Sequence, residues 1–83
     1  MLETIRNYYE KEYKMLAWTL NQIKTGKSFF NKSDVPRIID GTIKMLLGVA
    51  FFAQDESFEL KFEDIDAIYE EYRKKIEAMK GDF

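Results

Sequence analysis

The chain has 83 residues, a single proline and a formal net charge of −2, which points to one domain. Hydrophobic residues make up 46% and charged residues 34%, the balance of a globular chain rather than a disordered one. It contains no Cys and no His, which excludes disulfides, thiolate nucleophiles, zinc–thiolate sites and a Ser-His-Asp triad, and removes the commonest transition-metal ligand.

Residues 2–25 predict the first helix. Leu2, Ile5, Tyr9, Tyr13, Leu16, Leu20 and Ile23 recur every three or four positions, which at about 100° per residue is one apolar stripe. Gly26 follows as a C-terminal stop. Residues 26–33 are the main turn, and Ser33 or Asp34 is placed to cap the next helix, with Pro36 harmless in its first turn.

Residues 34–54 predict a second helix of another kind. Val35, Ile38, Ile39, Ile43, Leu46, Leu47, Val49, Ala50, Phe52 and Ala53 cover more than half its circumference, the pattern of a helix buried on two sides. Arg37, Asp40 and Lys44 form a narrow polar strip. Gly41 and Gly48 flank it seven residues apart, which is expected to let another backbone come close.

Residues 55–61 read as an extended connection that lays Phe58 and Leu60 over the core edge. The third helix spans about 62–80, with Phe62, Ile65, Tyr69, Tyr72, Ile76 and Met79 as its stripe, a Leu60–Ile65 staple around a cap at Lys61, and Gly81 as its stop. Acidic residues at its start and Arg73, Lys74, Lys75 and Lys80 at its end complement the helix dipole. The expected fold is therefore all-α, a three-helix bundle in one domain over residues 1–83. The core is expected to bring together Leu16, Leu20, Ile43, Leu46, Ile65, Tyr69 and Ile76.

Charge is unevenly placed. Residues 55–71 hold eight acids against Lys61, and Glu59, Glu63, Asp66 and Glu70 follow a four-three-four spacing that makes an acidic ridge where the segment is helical. Such a ridge suits a basic surface on a protein partner better than a cation or a reaction, since no EF-hand loop is present and nothing supplies a pocket. The favoured reading is plainer, a solvated helix face whose acids suit the helix dipole. The opposite pole is the basic turn, where Lys24, Lys27, Lys32 and Arg37 surround Phe29 and Phe30. Aromatics among cations can stack on bases, but a pI near 5.1 counts against nucleic acid as the main ligand. The favoured reading has both phenylalanines fold back to plug the bundle end.

The back of the first helix carries the remaining feature. Trp18 lies opposite the apolar stripe, with Tyr8 and Met15 on its flank, and Phe51 is able to join them. The alternatives are self-association through Tyr8, Met15 and Trp18, or a monomer in which residues 55–62 cover Trp18.

No motif carries a family resemblance. The Lys-, Glu-, Ile- and Tyr-rich composition is in the style of a low-GC bacterium or its phage. No P-loop or dinucleotide-binding pattern occurs, the opening residues lack the build of a secretory leader, and the longest uncharged run, Met45 to Gln54, is too short for a membrane span. The resulting expectation is a non-enzymatic, cytoplasmic, protein-binding regulator or inhibitor of the kind a phage or mobile element carries, without cofactor or metal, dimerising with itself; the alternative is a nucleic-acid-associated regulator working through Lys24–Arg37.

Overall fold

The computed structural model describes residues 2–56 and 60–83. Three helices, α1 (Leu2–Lys24), α2 (Val35–Glu56) and α3 (Phe62–Ala78), form an all-α bundle measuring 45 × 17 × 16 Å, with no strand among the described residues. Their bounds lie within two residues of the sequence expectation. No helix of the described residues is long and apolar enough to cross a membrane.

α1 buries Ile5, Tyr9, Leu16, Leu20 and Ile23 from its predicted stripe. Its end is fixed by Gly26, whose φ of 74° turns the chain out of the helix. The Lys27 amide donates to the Gln22 carbonyl at 2.8 Å and the Gly26 amide to the Ile23 carbonyl at 3.2 Å, which satisfies two carbonyls that the helix leaves open. A Cβ at Gly26 would meet nothing within 4 Å, so Gly26→Ala is penalised by backbone conformation alone. It is expected to cost about 1–2 kcal/mol, measured by urea denaturation. A neutral effect would show that the turn relaxes without left-handed backbone.

α2 starts differently from the expectation. A short 3-10 turn, Lys32–Asp34, precedes it, with Asn31 as the N-cap of that turn. The Asp34 carboxylate accepts from the Asn31 amide at 2.8 Å and from Arg37 at 2.7 Å, so it ties the turn to the helix it precedes. Val35, Ile39, Leu46 and Ala50 are buried. The helix is not buried on two sides, however. Met45, Leu47, Phe51 and Phe52 are exposed, and a Cβ at Gly41 or Gly48 would meet nothing within 4 Å. Its neighbours among the described residues, α1, α3 and the two 3-10 turns, bury the face that carries Val35, Ile39, Leu46 and Ala50.

α3 begins at Lys61, whose carbonyl accepts from the Asp64 and Ile65 amides at 3.1 and 3.3 Å. Leu60 packs on the core beside it and Ile65 is fully buried, as a staple requires. Phe62, expected in the stripe, is exposed, and Met79 is half-buried. Gly81 is not the helix stop: a second 3-10 turn, Met79–Asp82, runs through it without a positive φ. Phe58 lies outside the described residues.

Leu16, Leu20, Leu46, Ile65, Tyr69 and Ile76 are buried together as expected, while Ile43 is half-buried against them. Tyr9 is the cross-tie. Its ring is fully buried, and its hydroxyl donates to the Leu46 carbonyl at 2.7 Å, joining α1 to the middle of α2. Tyr72 meets it edge-on at 5.7 Å between ring centroids and donates its own hydroxyl to Glu10 at 2.6 Å. Lys75 stands 4.9 Å over the Tyr72 ring, and Arg6 pairs with Glu71 at 2.8 Å. α1 and α3 are thus stitched by an aromatic and polar seam.

Candidate functional site

The turn after α1 and the back of α1 form a shallow groove of about 290 Å³, lined by Trp18, Thr19, Gln22, Lys27, Ser28, Phe29 and Phe30. Its position follows from the chain course. The break at Gly26 sends residues 27–30 back along the outer face of α1, where Trp18 and Gln22 stand one turn apart. The Phe30 amide donates to the Ser28 hydroxyl at 3.1 Å, which shapes the bend.

Phe29 and Phe30 do not plug the bundle end. Phe29 is fully exposed and Phe30 is 49% exposed, because Gly26 and the Asn31–Asp34 turn hold the connection outside the core. Trp18 is 65% exposed, so the described chain leaves most of it uncovered. Tyr8 and Met15 are also exposed but do not line this groove, and neither does Phe51. The sequence-level patch therefore divides. Trp18 joins the turn, while Tyr8 and Met15 lie further back along α1.

The basic residues rim this end. Lys24, Lys27, Lys32 and Arg37 are all exposed, and Arg37 is held by Asp34. The surface at the turn therefore combines exposed aromatic rings with mobile-stemmed cations, without a buried acid or base beside them.

The acidic ridge is less uniform than its spacing suggests. Glu63 and Asp66 are exposed, and Glu59 lies outside the described residues. Glu70 accepts from Arg73 at 2.8 Å, and that contact holds its carboxyl below the usual carboxylate range. Glu71 is lowered in the same way by Arg6. Among the described residues no group of three or more acids is placed to hold a metal ion.

The seam residues Arg6, Glu10 and Glu71 were not marked out by the sequence, since each reads as an ordinary surface charge. The available signal was the row of tyrosines in the apolar stripes, whose hydroxyls need polar partners when buried. No family model matches the chain, and neither the curated proteins nor the solved structures contain a match.

Proposed function

We propose that the protein is a non-enzymatic, cytoplasmic interaction module, a regulator or inhibitor that acts by binding another protein through the Trp18–Phe30 groove. The carrying observation is the exposure of Trp18, Phe29 and Phe30 together on one end of the bundle. Rings of this size left in water at a concave place are the usual anchors of a protein interface. Lys24, Lys27 and Lys32 around them favour a partner with acidic residues beside its apolar contact. Glu63 and Asp66 offer a second contact, to a basic surface.

The test is affinity capture from the source cell with three baits: the native chain, Trp18→Glu and Phe52→Glu. The expected partner is retained by the native chain and Phe52→Glu and lost with Trp18→Glu. A partner held equally by the Trp18→Glu bait would overturn the assignment of this groove.

The same exposed rings among lysines support a second reading, nucleic-acid binding by stacking. Anisotropy titrations with single-stranded DNA and RNA separate the two. Affinity that falls steeply with salt and vanishes on replacing Lys24, Lys27 and Lys32 by Glu favours nucleic acid.

A further inference from the structure

We infer that a second copy of this chain docks antiparallel on the outer face of α2, about a two-fold axis passing between Leu46 and Leu47. This surface is separate from the Trp18 groove, and the proposal does not rest on that reading.

The face is a stripe. At about 100° per residue, Arg37, Gly41, Met45, Gly48, Phe52 and Asp55 fall within a quarter-turn of one another, well away from buried Val35, Ile39, Leu46 and Ala50. Large and absent side chains alternate along it. Phe52 is 65% exposed and Met45 39% exposed, while Gly41 and Gly48 open on empty space. Its ends carry opposite charges, exposed Arg37 at one and exposed Asp55 at the other.

Read backwards, the stripe complements itself. The two-fold sets Met45 over the partner's Gly48, Phe52 over the partner's Gly41, and Arg37 against the partner's Asp55, each pairing occurring twice. A symmetric contact demands this self-complementarity. A parallel arrangement would set Phe52 on Phe52 and Arg37 on Arg37. Arg37 already donates to Asp34, but its side chain is 78% exposed and its guanidinium has further donors to give. The glycines, unfavourable inside a helix and idle within the free chain, become the recesses that let the two α2 axes approach.

The area suits a small, micromolar-range contact. α3 meets α1 through Arg6, Glu10 and Tyr13, and the opposite flank of α1 carries exposed Tyr8 and Met15. Lys80, beyond α3, meets α2 through Asp40, and Met45 and Phe52 lie on the other flank. Both exposed pairs therefore border the groove between α1 and α2, beside the docking helix. Together these four side chains leave roughly 400 Å² in water, taking about 200 Å² for a fully exposed large side chain. The glycines, the stem of Lys44 and the terminal charges add to this, and the contact is a small one, below the roughly 800 Å² per partner of a standard interface.

Sedimentation velocity over a micromolar to submillimolar range tests this, with circular dichroism melts as the control for folding. The native chain of 9.9 kDa is expected to move to a species of twice that mass. Phe52→Glu and the double variant Gly41→Leu/Gly48→Leu are each expected to weaken dimerisation at least about tenfold while remaining helical. The leucine pair is informative because mere stickiness would strengthen with added apolar surface, whereas filled recesses weaken a fitted contact. Asp55→Arg is expected to weaken the dimer and Arg37→Glu in the same chain to restore it. Trp18→Glu is expected to leave the dimer intact. A native chain that stays at the monomer mass throughout overturns the proposal, as does a dimer unaffected by Phe52→Glu and the leucine pair, or one lost only with Trp18→Glu.

Discussion

Leu46→Ala is expected to lower the unfolding free energy by about 2–5 kcal/mol, read from the urea midpoint at constant slope. Leu46 is fully buried at the middle of α2, in one cluster with Ile39, Ala50, Ile65 and Ile76. Truncation there removes contacts from all three helices and leaves a cavity that short helices close only in part. The Leu46 carbonyl also receives the Tyr9 hydroxyl, so any local shift of α2 disturbs that bond. Domains of this size have about 5–15 kcal/mol in total, so the loss is a large share. A change below about 1 kcal/mol would show that α2 is not central to the core.

The second large effect is alkaline. Burial pushes the Tyr9 phenol from its ordinary 10.0 up to about 12. The folded protein thus holds this proton more tightly than the unfolded chain does. The associated stability is complete below about pH 10 and is lost as pH rises toward about 12, amounting to about 2–3 kcal/mol. Burial raises the Tyr69 and Tyr72 phenols as well, in the same sense. Tyr9→Phe removes the Leu46 bond and is expected to cost about 0.5–1.5 kcal/mol at neutral pH. It is also expected to flatten the alkaline decline, so the two stability curves converge and then cross as pH rises toward about 12. Parallel curves would place the alkaline transition on another group.

The helices were legible because each apolar stripe keeps its period and because Gly26, Pro36 and Lys61 punctuate the chain. Legibility failed where one pattern serves two physical situations. The wide apolar arc of α2 reads the same whether the chain or another molecule covers it, and the described residues leave Met45, Phe51 and Phe52 exposed. Phe29 and Phe30 have the composition of a plug, but the hydrogen bonds around Ser28 and Asn31 hold the turn outward. Phe62 keeps the α3 period yet stands at the first residue of the helix, where the stripe has run past its neighbours. The Glu10–Tyr72 bond joins residues 62 positions apart, a separation that no local spacing encodes.

The bundle's plan also bears on how fast it forms. Each helix packs against the next along the chain, so much of the structure closes over short stretches of sequence. The longer closures, Tyr9–Leu46 across 37 positions and Arg6–Glu71 across 65, are added to a majority of close pairs that lie near one another in sequence. Helical proteins of low contact order reach the native state in microseconds to milliseconds. The core face of α2, with Val35, Ile39, Leu46 and Ala50, is then hidden soon after the chain is released, before it meets many other unfolded chains. For a chain with so small a core, speed of closure guards against aggregation in a way that equilibrium stability alone does not.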